Sequence, residues 1–262
     1  MSDKKFARIS PEAGLLLGAG RAILLQLAHP SVSRAVAEHS NFTVNPLFRL
    51  THTLMFVYAL SNGDEAQRQK IIAHVNAAHR PVHAPRDKST GQPAYCAFDP
   101  QLQLWVAATL YDSARVIGAK VLPNFDEFDD EQLYQQYVVL GSALQMPQQF
   151  WPVDQAEFET YFHATLQSLE VTAQARDLAQ QLFTGANAPW WIRLLLPAAR
   201  IVTIAELPAT LREGYGYRLT PQIVRWHRVI LGITRVGTRG LPRCIRYAPM
   251  RVLLRRLAKH GV

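Results

Sequence analysis

Only two cysteines occur in 262 residues, Cys96 and Cys244, and no CxxC pair is present. A cysteine-rich zinc site and a disulfide framework are therefore excluded, and two free, buried thiols are expected. Charged residues make up only 18% of the chain against 48% hydrophobic, which excludes a disordered or fibrous class. The first dozen residues, MSDKKFARISPE, contain no apolar run of the secretory kind. The most apolar stretch, LLLGAGRAILLQLA (15–28), falls short of the roughly 20 residues a membrane helix needs and carries Arg21. A soluble cytoplasmic protein is expected. Alternating β-branched runs and hairpin dipeptides flanked by apolar segments are nearly missing, so strands should be few.

Catalytic signatures are scarce too. HExxH, Glu-x-x-His, His-Asp and GxSxG do not occur, which removes the usual marks of zinc hydrolases, di-iron bundles and serine hydrolases. The GAG at 18–20 is not a dinucleotide fingerprint, because Ile23 holds the sixth position and no strand precedes it. Its small residues would instead let a helix or a flat ligand approach the backbone.

Positive charge is present in excess and unevenly spread, within a net +8. Residues 190–262 hold fourteen Lys or Arg against Glu206 and Glu213, whereas residues 1–189 hold fourteen basic and eighteen acidic residues. A basic C-terminal region, ending in RVLLRRLAKH (251–260), suits an anionic surface. Lipid headgroups fit better than nucleic acid, for which no recognition motif is present. The plainer alternatives are a solvated basic face and a terminal helix packing Val252, Leu253, Leu254 and Leu257 on the domain.

Helical periodicity dominates, and roughly ten helices in one all-α domain spanning 1–262 are expected, with region 190–262 part of it. Ser10-Pro11 reads as the start of a first helix that runs to Pro30. Ser31–Glu38 reads as a short second helix. Pro46 opens a third that ends at Ser61-Asn62-Gly63. Asp64 should cap a long helix that Pro81 disturbs. Asp99-Pro100 should start another, after a loop over 85–93. Further helices are expected at 127–144, 154–169, 172–183, 190–205, 220–235 and 243–259.

The stretch IIAHVNAAHRPVHAP (71–85) concentrates His74, His79 and His83, a third of the nine histidines. His79 and His83 have i,i+4 spacing, but Pro81 between them breaks the helix. His74 lies about 140° around the helix from His79. Three co-ligands are thus improbable from this stretch and one is credible, although a lone histidine is more often structural. Arg49 and Thr53 share one helix face. They read either as an exposed arginine with a back-bonding threonine or as a cation and hydroxyl facing a bound group.

Five segments in order resemble the rubber oxygenase catalytic domain family, which includes bacterial latex clearing proteins and the fungal oxygenase of mycophenolic acid biosynthesis. They are GAGRAILLQLAHPSVSRAVAEHSNF (18–42), PLFRLTHTL (46–54), HRPV (79–82), AYCAFDPQLQLWVAATLYDS (94–113) and LPATLREGYG (207–216). The resemblance implies a globin-like helical fold with one b-type haem between helices, its iron held by the histidine of an HxxV element, here His79. It implies that Arg49 and Thr53 lie near the haem, and that Glu38 stands in the place of an acidic base. His29 and His39 fall in matching stretches as hydrogen-bonding supports. Characterised relatives use molecular oxygen to cleave a carbon–carbon double bond in an isoprenoid chain.

Two departures stand out. Ala107 occupies a position where many relatives carry histidine, and His52 stands where latex clearing proteins carry a distal lysine. The expected function is a haem b-dependent oxygenase acting with O2 on an unsaturated hydrophobic molecule. Its expected catalytic residues are Arg49, Thr53, Glu38 and His52, with His79 as iron ligand and His83 and His29 supporting the pocket. His74 is expected to pack or lie at the surface. The alternatives are a non-catalytic haem- or lipid-binding protein, and a non-haem metalloprotein using His74, His79 and His83. Peripheral contact of the basic region with an anionic membrane is expected; contact with nucleic acid is not.

Overall fold

A computed structural model describes residues 5–39, 46–185 and 188–260. The end of the first resembling segment, residues 40–42, lies outside them. The fold is all-α. Its N-terminal half comprises α1 (Lys5–Ile9), a 3-10 turn (Ala13–Gly18), α2 (Ala19–Ala28), α3 (Pro30–His39), α4 (Pro46–Asn62) and α5 (Glu65–His79). A two-residue antiparallel ladder follows, pairing His83 with Cys96 and Ala84 with Tyr95. The remaining helices are α6 (Pro100–Val121), α7 (Glu131–Tyr137), α8 (Val139–Ser142), α9 (Gln155–Ser168), α10 (Ala173–Thr184), α11 (Trp190–Glu206), α12 (Ala209–Gly214), α13 (Pro221–Gly240), α14 (Arg243–Arg246) and α15 (Ala248–His260).

Side-chain caps mark the starts of six helices. The Asp64 carboxylate accepts from the Gln67 amide while the Gln67 side chain accepts from the Asp64 amide, a reciprocal capping box for α5. Asp99 accepts from the Gln101 amide with Pro100 in the first turn of α6. Asp130, Asp154, Thr172 and Thr220 do the same for α7, α9, α10 and α13.

Several expectations need correction. Ser10 caps no helix; its hydroxyl donates to Ser61 Oγ at 2.8 Å instead, tying the chain to α4. The expected first helix therefore becomes a 3-10 turn and α2, and α3 leaves α2 at a sharp bend of 103°. The expected helix over 127–144 divides into α7 and α8, and α12 lies where no helix was expected. More helices result than the roughly ten expected, because short pieces satisfy few periodic positions. Cys244 is exposed on α14, a four-residue helix too short to bury it, and Cys96 is only partly buried.

Packing centres on α6. Trp105, Tyr111 and Ile117 are fully buried on it, and α2 and the 3-10 turn lie against it. Tyr111, Tyr134, Trp151 and Phe158 form an edge-to-face and stacked aromatic cluster at one end. The glycines of GAG serve packing. A Cβ on Gly20 would fall 2.1 Å from Thr203 Oγ1 on α11, and one on Gly18 would fall 3.1 Å from the Ser113 carbonyl oxygen on α6. Arg21, the cation inside the apolar run, is almost fully buried. It pairs with Asp112 at 2.5 Å and donates to Ser113 Oγ and the Glu206 carbonyl, both at 2.9 Å. Among the described residues no single helix is long and apolar enough to cross a membrane.

Candidate functional site

A cavity of about 100 Å³ opens between the 3-10 turn, α2, α4 and α6. Its walls are largely aliphatic, with Leu15, Ala22, Ile23, Leu50, Leu54, Val57 and Leu110 contributing. A few polar groups converge on it: Arg49 and Thr53 from α4, Gln26 from α2 and Tyr58 from α4. Apolar walls with sparse polar groups are the usual makeup of a ligand site. Thr53 lies one turn beyond Arg49, so both side chains reach the same space.

Arg49 is the least expected group in such surroundings. Burial alone lowers its guanidinium to about 10. No salt bridge to it occurs among the described residues. A partly buried cation without a counter-ion among the described residues favours an anionic group at this position. Burial likewise pushes the Tyr58 hydroxyl up to about 12 and keeps it neutral.

His79 is the last residue of α5, since the chain turns out of the helix before Pro81. Burial first, and then the Arg49 charge, lower its imidazole to about 4. It is thus neutral at physiological pH. Its Nδ1 is buried with no hydrogen-bond partner among the described residues, and its ring meets Phe98 edge-on at 6.4 Å. A neutral imidazole is the form that ligates metal.

The other histidines separate. His74 on α5 stacks on His52 of α4, with ring centroids 5.2 Å apart and 18° between planes. Its pKa is lowered by burial and by His52. His52 accordingly faces α5 and is not among the cavity-lining residues. His83 sits exposed on the short ladder. His29 terminates α2, and burial lowers its pKa against the opposing pull of Asp99. Among the described residues no group of three His, Cys, Asp or Glu side chains is placed to hold a metal.

Glu38 belongs to a different cluster. It accepts from Arg34 Nε at 2.7 Å and from the Tyr95 hydroxyl at 2.6 Å, and these bonds hold its carboxyl below the usual range. A carboxylate held so low is a weak proton acceptor. His39 joins this cluster through the Tyr95 hydroxyl at 2.7 Å. Arg34 also donates to the Pro85 and Pro93 carbonyls, fixing both ends of the loop over 85–93. Ala107 is fully buried in the main core.

Sequence reasoning passed over Gln26 and Tyr58. Gln26 was detectable as the one uncharged polar residue in ILLQLA, where its side chain is buried and donates to Thr109 Oγ1 at 3.1 Å. Tyr58, amid FVYAL, offered no such contrast.

The family model described as "ER-bound oxygenase mpaB/B'/Rubber oxygenase, catalytic domain" matches residues 7–236. The chain belongs to this oxygenase family. The matched region of this oxygenase-family domain takes in every candidate residue from His29 to His83 and stops before α14 and α15. Two uncharacterised proteins, one from Mycobacterium tuberculosis and one from Mycobacterium bovis, are each 31% identical over 225 residues. The alignment covers 84% of this chain and 87% of each relative. No solved structure matches the chain.

Proposed function

We propose that this oxygenase-family protein is haem b-dependent and uses O2 on an unsaturated hydrophobic molecule of lipid or isoprenoid type. The observation that carries the reading is the coupling of a neutral imidazole, His79, to Arg49, a partly buried cation with no salt bridge among the described residues, which lines an apolar cavity that His79 itself does not line. This donor set suits the cofactor. Haem iron takes a neutral histidine nitrogen, and a propionate takes an arginine fork.

In this reading His79 would hold the haem iron through its imidazole, and Arg49 would hold a carboxylate of the same group through its guanidinium. Haem, when bound, supplies the oxygen chemistry. The chain does the remainder. Thr53 presents a hydroxyl to the cavity for hydrogen bonding to substrate. Leu50, Leu54, Val57 and Leu110 exclude water and accept an apolar chain. His52, packed on His74, steadies α4 against α5, while Glu38 and His39 anchor the loop that follows His83. His29 closes α2. The cavity is smaller than the roughly 300–1,000 Å³ of common ligand sites, so a tetrapyrrole would have to part α4 from its neighbours.

Oxygen uptake by the haem-reconstituted protein, measured against a panel of unsaturated lipids and terpenoids, tests this reading. Substrate-dependent uptake that Arg49→Ala and Thr53→Val each depress is the expected result. Stoichiometric haem without turnover would make the protein a haem- or lipid-binding module. Bound zinc or non-haem iron in place of haem would end the proposal.

A further inference from the structure

Helix α13 presents three faces where a surface helix normally presents two. At 100° per residue, Ile230, Leu231, Thr234 and Thr238 turn inward, with Leu231 and Thr238 buried. Arg225, Arg228, Arg235 and Arg239 form a second, exposed stripe. The third stripe is apolar and in solvent: Trp226, Val229, Ile233 and Val236, at three- and four-residue spacing, are 49%, 41%, 69% and 72% exposed. The pattern recurs on α11, which packs on α13. There Trp190, Trp191, Leu194 and Leu195 are 73%, 53%, 70% and 59% exposed over the first two turns. Leu241 and Ile245, just beyond α13, are half exposed as well.

We propose that this face docks the protein on an anionic phospholipid bilayer, lying in the interface without crossing it. Tryptophans and aliphatic side chains would enter the headgroup–acyl boundary, and the arginine stripe would meet phosphates and acidic headgroups. Charge decides among the occupants. Two copies joined through this face would oppose arginine stripes in a region holding fourteen cations and only Glu206 and Glu213 as anions. Nucleic acid would satisfy the arginines but leave the aliphatic stripe in water. An acidic bilayer satisfies both.

The face also lies close to the cavity. A Cβ on Gly14 would fall 3.1 Å from Thr238 and 3.4 Å from Thr234, so the 3-10 turn rests directly on α13. Leu15 and Leu16 of that same turn line the cavity. One turn of chain therefore separates the docking helix from the space where an apolar substrate would bind, a consequence that rests on the proposed function while the docking itself does not.

Vesicle flotation with the full chain tests the docking. Phosphatidylcholine vesicles with and without phosphatidylglycerol should be compared, with tryptophan emission and quenching by brominated lipid recorded in parallel. The protein should float with the anionic vesicles, shift its emission to the blue and release at high salt. Arg225→Glu with Arg228→Glu should weaken binding about tenfold or more. Ile233→Asp with Val236→Asp should abolish it while leaving the thermal melt unchanged, since both side chains are exposed. Absence of flotation at low salt, or flotation of both variants equal to that of the unaltered protein, overturns the proposal. A dimer that the Ile233→Asp variant dissociates, with no vesicle binding, would assign the face to a second copy instead.

Discussion

The Arg49 guanidinium on α4 and the His79 imidazole at the end of α5 share one partly buried region, and the cation helps to hold the imidazole unprotonated. Burial is the larger cause and Arg49 the smaller. In the haem-free protein, an NMR titration should therefore place His79 near pH 4. Arg49→Met should raise that value and still leave it below the ordinary 6.5, because burial persists. An unchanged value in Arg49→Met would show that the two side chains do not interact.

Stability should fall on acidification. His79 is lowered from 6.5 to about 4 in the folded haem-free chain, and His29 and His74 are lowered too. Below pH 6.5 the unfolded chain takes up protons that the folded chain refuses, so folding weakens until pH passes below about 4. His79 alone contributes on the order of 3 kcal/mol to this loss. Denaturant melts of His79→Gln should show a shallower decline between pH 6.5 and 4 than the unaltered protein.

The Arg21–Asp112 pair ties α2 to α6 with both side chains about 5% exposed. Removing either partner leaves a buried charge uncompensated. Asp112→Ala and Arg21→Met should each cost about 3–5 kcal/mol in chemical denaturation. The double variant should cost less than the sum of the singles, since no orphan charge is left.

Gly20→Ala should destabilise by about 1–3 kcal/mol, because its Cβ would strike Thr203 Oγ1. Thr203→Ala removes that oxygen and should recover part of the loss in the double variant. Simple additivity of the two changes would show that α2 and α11 do not meet at this point.

The local signals in the sequence were strong where one residue decides an outcome. Asp64 and Asp99 marked the starts of α5 and α6, and Pro81 marked the end of α5 at His79. The break after the 3-10 turn was hidden, because Gly18 and Ala19 fit an unbroken apolar helix and only the close approach of α6 and α11 exposes the change. The Ser10–Ser61 bond, 51 residues apart in sequence, carries no local trace either. Of the candidate site, the spacing of Arg49 and Thr53 put both on one helix face but left open whether that face was exposed or met a bound group; both line the cavity. Their meeting with Gln26 and Tyr58 around one cavity, and the coupling of Arg49 to His79, were not legible, because both depend on how the helices pack. The exposed stripe on α13 was masked by composition, because nothing local in the sequence separates its apolar residues from a core-facing stripe.

The central claim is that His79 binds haem iron, and a haem titration followed by absorbance tests it most directly. The unaltered protein should take up about one haem per chain and show a Soret band of a histidine-ligated iron. His79→Ala should lose that band while His74→Ala and His83→Ala keep it. A normal spectrum from His79→Ala, or no haem uptake by the unaltered chain, would contradict the account.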